Sequence, residues 1–524
     1  MNISRRLLFG SVAGIAMVRL AHGAVAHRLT ILHVNDLHSR HEPVDARALA
    51  CNAVRPDCHG GTARLATALA RERAAAEAQG RSVLLLDAGD QFQGSLFYTA
   101  WKGDVELAVM HALGTEAMAL GNHEFDNGPA NLARFVRAAR FPVLSANTDA
   151  AADPDLAGLV RPHAMFRRGA LQVGVVGLTT QATAVGSSPG PHVRFTAPEV
   201  ALAEAAAALR AQGAGVVVAL SHLGVAIDLS LAGVVAGVDA FVGGHSHTLL
   251  SDSEAGAAGP AHQAVEGPAG RAVVVQAACY GRYFGRLDLD IGDDGTVLAY
   301  GGDCRRVGLD LPEDPAVAAI VAGYAVQLDA VRRRVVGRTA APIGNDGCRI
   351  GECALGNFIA DTLLAAVPGA DVALMNAGGL RTGLPGGEVT IGDVLTVLPF
   401  GNAVATLKLT GADLQAALAN GLARAGSGAF PQVAGVRLQW NPLTGTLTGL
   451  SVGGASGFTP VDPARVYTMV TNNFLRGGGD GYTVLRDRAI DPYDGGSGLD
   501  AVVIAALSAA SPLAPVTDGR ITVR

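Results

Sequence analysis

The chain has no basic excess: 40 Lys and Arg stand against 46 Asp and Glu, a formal net charge of −6. That argues against a surface that tracks a nucleic-acid backbone, and the short run Arg332–Arg334 reads as the solvated face of a helix. No Cys-x-x-Cys pair occurs, which disfavours a zinc-finger framework. No segment repeats at a fixed period. Charge is sparse, at 16 % of residues against 49 % hydrophobic, so wholesale disorder is excluded and material for packed cores is ample. With 524 residues the chain is too long for one ordinary domain and is expected to hold two or more.

A membrane span is also missing from the N-terminus. Ser4-Arg5-Arg6 precedes an apolar stretch, Leu7 to Val18, that is too short to cross a bilayer and is closed by Arg19. Ala24-Val25-Ala26 supplies a small-x-small cleavage site, so residues 1–26 are expected to be a removable signal. The paired arginines suggest the twin-arginine route, an ordinary secretory signal being the alternative. A periplasmic or secreted location without a stable membrane anchor follows. Export invites disulfides among the six cysteines. Proximity along the chain pairs Cys51 with Cys58 and Cys348 with Cys353, and a probable hairpin pairs Cys279 with Cys304.

What is present is an alternation of short buried strands and amphipathic helices. Leu29–Val34, Val83–Leu86, Ala117–Leu120, Val173–Val176, Val216–Leu220 and Ala240–Val242 have strand length, and Arg64–Ala78 and Pro198–Ala211 have helical spacing. The pattern predicts an α/β layered domain. Near Asp310 it changes: Pro315 to Val335 reads as one long connecting helix. A second mixed α/β domain follows Arg338, with a helix near Ala501–Ala510 and a last strand at Arg520–Val523.

Five of the first-domain strands run into the same kind of residue. They lead to Asp36-Leu37-His38, to Gly89-Asp90, to Gly121-Asn122-His123-Glu124, to Ser221-His222 and to Gly243-Gly244-His245-Ser246-His247. Ligand sites in open α/β sheets gather beyond the carboxyl ends of strands. Each motif alone is an ordinary loop or helix cap; their conjunction delivers carboxylates, an amide carbonyl and imidazoles to one crevice. Those donors suit two adjacent divalent ions such as Zn²⁺ or Mn²⁺, which need a bridging carboxylate and can hold both oxygens of an in-line displacement.

This motif set resembles the calcineurin-like metallophosphoesterase domain. Gly-Asn-His-Glu-Phe-Asp (121–126) narrows the resemblance to the 5′-nucleotidase family. So do second-domain motifs: Cys348-Arg349 with Cys353 and Gly356-Asn357, Asn376-Ala377-Gly378-Gly379-Leu380-Arg381, Leu398-Pro399-Phe400-Gly401, and Asn473-Phe474-Leu475 with Gly478-Gly479-Asp480-Gly481. The resemblance implies a four-layer α/β/β/α metallophosphoesterase domain (27–312), a linker helix (313–337) and a smaller mixed α/β nucleoside-binding domain (338–524). One ion would be held by Asp36, His38, Asp90 and His247, and the other by Asp90, Asn122, His222 and His245, with Asp90 bridging. Many members carry Gln or Asn at the position of His247. His123 would stabilise transition-state charge, oriented by Asp126, with Glu124 a structural partner. Phe400 and Phe474 would clamp a base, Asp480 would take the ribose hydroxyls, Asn376 would contact the base, and Arg349 and Arg381 would meet substrate anions. The implied reaction is hydrolysis of nucleoside 5′-monophosphates, with other phosphate esters and nucleotide sugars as further substrates. Cyclic-nucleotide phosphodiesterase and 3′-nucleotidase activity is the close alternative. A thiosulfohydrolase and a non-catalytic nucleotide-binding surface protein are more distant ones.

Overall fold

The computed structural model describes residues 17–19, 23–45, 51, 58–268, 270–454 and 457–524. The Arg5-Arg6 part of the expected leader lies outside them. Ala24, Val25 and Ala26 are exposed, immediately before the strand His27–Val34. No helix among the described residues is long and apolar enough to cross a membrane.

Two sheets stack face to face in the first domain. One has seven strands, with His27–Val34, Ser82–Asp87, Ala117–Ala119 and Val143–Leu144 in parallel and an antiparallel flank whose outermost strand, Met17–Arg19, falls within the expected leader. The other has six, with Leu171–Thr179, Val216–His222, Ala240–Gly243 and Gly270–Gln276 in parallel. Ile31, Leu84 and Leu86 meet Val173, Val218 and Val242 in the layer between them. The opposite faces are covered too. Leu32 and Leu85 pack under the helix Thr62–Ala78 through Leu65 and Leu69. Val217 and Phe241 pack under Pro198–Ala211 and Val225–Val234 through Leu202, Leu209 and Leu231. Burial on both faces is why these strands are continuous apolar runs rather than alternating ones. Parallel strands place their carboxyl ends along common edges, so the polar residues that follow them are gathered at one place.

The connector differs from the sequence expectation. It is two helices, Pro315–Ala325 and Leu328–Arg332, followed by the strand Val335–Thr339. The break comes where Gln327 N–H turns back to the Tyr324 carbonyl, a tighter three-residue span. Nor is it a free rod: Val317 and Leu328 are buried against Ala63, Phe97, Val105 and Val109 of the first domain. The chain leaves that packing only beyond Arg332.

The second domain holds a five-stranded sheet, ordered Pro431–Ala434, Val372–Asn376, Val466–Asn472, Val404–Thr410 and Ile490–Tyr493, and a separate four-stranded one. Trp440, Phe430 and Tyr467 lie in its core with the helix residues Leu355, Ile359 and Leu363. The central neighbours Val372–Asn376 and Val466–Asn472 are parallel, so the loops after both begin at the same edge.

Disulfides join Cys51 to Cys58 and Cys348 to Cys353. The third expected pair does not form: Cys279 and Cys304 are buried free thiols. The hairpin register explains this. Cys304 sits opposite Gly285, six positions beyond Cys279 (285 − 279), and Cys304 Sγ lies 3.3 Å from the Gln276 carbonyl. Cys279 turns the other way, and its Sγ accepts from the Arg282 guanidinium at 3.4 Å.

Candidate metal centre

The strand-end loops converge as the sequence predicts. His38 Nε2 lies 3.0 Å from His247 Nε2, 3.8 Å from an Asp90 oxygen and 3.9 Å from an Asp36 oxygen. His247 Nε2 is 3.3 Å from Asp36, and His222 Nε2 is 3.1 Å from Asp90. Donor atoms cluster in three groups: Asp36, His38 and His247; His38, Asp90 and His123; and Asp90, His222 and His245. Asp90 belongs to two of the three. Asn122 lies on the same wall, its Nδ2 donating to the Gly495 carbonyl at 2.8 Å.

Local backbone makes this convergence possible. Asp36, His38, Asp90, His245 and His247 all have φ between 49° and 73°. Few non-glycine residues adopt that left-handed conformation, and Asp and His are among the tolerant ones. Gly121 is held to a bare α-carbon, since a side chain there would collide with the Asp90 carboxylate. Two buried carboxylates brace the loops from behind. Glu124 accepts backbone N–H groups from Asp90 (3.0 Å), Gln91 (2.8 Å), Phe92 (3.2 Å) and Gly121 (2.7 Å), tying the second and third loops together. Glu106 takes the Ser39 hydroxyl and lies 3.3 Å from His41 Nε2, fixing the chain just after His38.

Charge is arranged to favour a cation. Burial pushes His38 and His245 down to about 3, so both rings are neutral and have a lone pair to offer. Burial also works against charge on His222, yet Asp90 and Asp36 outweigh it and push that ring up to about 10. Its Nδ1–H donates to the Ala88 carbonyl at 2.6 Å, which turns Nε2 toward the carboxylates. Asn122 Oδ1 and His245 Nδ1 are buried with no hydrogen-bond partner among the described residues. Orphaned donor atoms beside paired carboxylates fit borderline divalent ions, which take oxygen and imidazole together.

His123 is set apart by its partner. Its Nδ1 is 2.8 Å from Asp126 Oδ2, and Asp126 is itself held by the Ser187 hydroxyl at 2.7 Å. Burial again opposes charge, but Asp126 and Asp90 push the ring up to about 9. Its Nε2 lines the crevice 4.0 Å from Asp90. The ring is thus a donor held by a carboxylate, the form that charge stabilisation or general-acid work requires.

The six second-domain residues gather elsewhere. Asn376 Nδ2 donates to Asp480 Oδ2 at 2.7 Å, Phe474 packs over Gly479, and the Arg381 guanidinium stands 5.6 Å from the Phe400 ring centre. Arg349 and Arg381 are exposed. Phe474 is 46 % exposed, which rules out plain core packing for that ring in this arrangement. None of the six lines the crevice, a cavity of about 780 Å³ between the domains. The second domain fills that mouth instead with the segment from Asp491 to Gly498, where the Tyr493 ring lies 5.9 Å from His245.

Several contributors are absent from the sequence expectation. Tyr280 packs 5.6 Å from His38 and 5.5 Å from His247, and its N–H donates to the Asp36 carbonyl at 2.7 Å. It follows a strand from the far side of the sheet and carries no motif. Glu106 lies in a helix that no ligand loop touches in sequence. The run Gly495-Gly496-Ser497-Gly498 was the one local signal for the segment at the mouth.

Comparison with known proteins agrees with this geometry. Residues 29–249 match the calcineurin-like phosphoesterase family, and residues 335–487 match the 5′-nucleotidase C-terminal domain. The 5′-nucleotidase of Homo sapiens is 34 % identical over 547 aligned positions, covering 97 % of this chain and 94 % of the relative. The crystal structure of a 5′-nucleotidase precursor from Thermus thermophilus is 37 % identical with a TM-score of 0.60, covering 95 % of this chain and 99 % of that one. The NAD nucleotidase of Haemophilus influenzae is 25 % identical with a TM-score of 0.83, at 95 % and 99 % coverage.

Proposed function

The chain belongs to the 5′-nucleotidase family, and from that premise and the geometry of its crevice we propose how it hydrolyses nucleoside 5′-monophosphates to nucleoside and phosphate. Metal-dependent phosphoester hydrolysis follows from that membership; the number of ions and the role of each residue are our reading. Asp36, His38, Asp90 and His247 would hold one divalent ion, and Asp90, Asn122, His222 and His245 a second. The observation that carries this is the Asp90 carboxylate, which stands 3.8 Å from His38 of the first set and 3.1 Å from His222 of the second. Ions held there by these residues would supply Lewis-acid polarisation of the phosphate and a water of lowered pKa. His123 donates from Nε2 to the oxygen on which charge builds, and Asp126 keeps the ring turned toward it.

The second domain supplies the nucleoside grip. Phe400 and Phe474 would stack on the base, Asp480 and Asn376 would bond the ribose and base, and Arg349 and Arg381 would meet substrate anions. None of these groups lines the crevice, so the domains would have to turn relative to each other before one nucleotide could touch both. Base stacking on an aromatic ring is worth roughly 1–3 kcal/mol per base in single-strand binders. Phe474→Ala is therefore expected to lower catalytic efficiency on AMP by about tenfold or more while leaving a small aryl phosphate within about twofold. Because the ring is half exposed, the protein should fold normally. An unchanged ratio of the two efficiencies would remove Phe474 from substrate binding.

Export to the periplasm or beyond completes the reading, with the leader removed after Ala26. Its support is the exposed Ala24-Val25-Ala26 segment ahead of the first core strand. Sequencing the mature N-terminus is expected to begin at His27; a chain beginning at Met1 would retire the proposal.

A further inference from the structure

A second cavity, of about 320 Å³, lies on the other side of Gln93 from the crevice and is lined by Tyr98, Lys102, Asp126, Arg334 and the Ala501–Ala505 stretch of the helix Leu499–Ala509. Two cations face it. Lys102 ends the helix Leu96–Trp101 of the first domain, and Arg334 stands where the connector passes into the second. Neither forms an ion pair with a carboxylate among the described residues. Burial, and then Arg334, hold the Lys102 ammonium below its ordinary range. The Lys102 Nζ lies 5.1 Å from the centre of the Tyr98 ring. Tyr98 is only 1 % exposed, yet its hydroxyl has no hydrogen-bond partner among the described residues. A buried hydroxyl left unpaired is costly and calls for a partner. Asp126 is the one carboxylate on the lining, and it is engaged by His123, Ser187 and Gln93.

Two unpaired cations and an orphaned hydroxyl around one cavity match a tetrahedral oxyanion. We infer that this cavity is a phosphate site separate from the metal centre, with Lys102 and Arg334 as its cationic clamp and the Tyr98 hydroxyl as its neutral donor. The phosphate is either the free product of the reaction or the phosphate group of an ester. A phosphate held there ties the first domain to the start of the second and sets a negative charge beside Asp126. Its occupancy therefore opposes the turning of the domains. Free phosphate so bound would restrain the enzyme that releases it.

The test uses the full-length protein and thermal unfolding against rising orthophosphate, a readout independent of turnover. The metal crevice also binds phosphate, so the Asp90→Asn protein is the working background. Saturable stabilisation is expected to persist there. Adding Lys102→Met and Arg334→Met should raise the half-saturating phosphate concentration by about tenfold or more, the scale of losing charge-assisted hydrogen bonds. The nearly isosteric Tyr98→Phe should raise it several-fold without disturbing the fold. A parallel titration with phenyl phosphate separates the two sources. Stabilisation by orthophosphate alone marks a product site; equal stabilisation by both marks a site for phosphate groups generally. No saturable response in the Asp90→Asn protein, or a half-saturation unmoved by the charge-removing pair and by Tyr98→Phe, overturns the inference. Metal retained by Asp90→Asn would count against the bridging role of Asp90 and is read separately, by metal analysis.

Discussion

Asp90→Asn is expected to remove bound metal and activity together. The side chain keeps its size, and one oxygen remains to accept the His123 backbone N–H, now 2.9 Å away. What is lost is the negative charge that faces His38 and His222 at 3.8 and 3.1 Å. A carboxylate that bridges two ions offers an oxygen to each, and an amide offers only one. Loss of a group that merely orients a metal ligand typically costs roughly 10–100-fold in affinity or activity. Loss of the bridge should exceed that, with at least one of the two proposed ions gone. Metal analysis beside an aryl phosphatase assay measures both. Two ions per chain and full turnover in the variant would take Asp90 out of the bridging role.

His123→Ala should give the opposite pattern: metal kept, turnover lost. Its Nδ1 is committed to Asp126, and its Nε2 stands 4.0 Å from Asp90, so the ring is placed to donate rather than to ligate. A proton donor or acceptor used in the transition state contributes typically 10²–10⁴-fold. The turnover number should fall by about that much, with the Michaelis constant little changed. Asp126→Asn should fall less, because the ring remains and only its orientation and charge are weakened. The geometry does include His123 in a donor group with His38 and Asp90. A variant that loses an ion as well as turnover would therefore make His123 a ligand and shift the donor's role elsewhere.

The candidate metal centre was legible because its proposed ligands are written at strand ends. Each apolar run announces a strand covered on both faces, and a polar residue immediately after it can only stand at the sheet's edge. Asp36, Asp90, Asn122, His222 and His245 all follow that rule. What braces them does not. Glu106 reaches Ser39 from a helix 67 positions away, and Tyr280 reaches the Asp36 loop from 244 positions away (280 − 36). No local period encodes such contacts. The connector was misread for a related reason: its helical spacing runs on through Val326, but tertiary packing of Val317 and Leu328 decides where it ends. Cys279 and Cys304 looked like a cross-hairpin pair because sequence distance hides register. The groups proposed to bind the nucleoside carry motifs, whereas their absence from the crevice lining depends on how two domains sit together, which neither domain's pattern contains.

The left-handed backbone at five of the proposed ligands bears on how this centre can be dissected or redesigned. A substitution there changes two things at once, the donor atom and the ease with which the chain holds its turn. Asparagine enters that region with little penalty, alanine with more, and a β-branched residue with most. At Asp36, His38, Asp90, His245 and His247, asparagine variants therefore report on the donor alone. Valine or threonine variants would report mainly on a distorted loop. Asn122 and His222 are free of this constraint, so a library that varies the ligands to change the metal preference should spend its diversity there and restrict the other five to His, Asp, Asn and Gly.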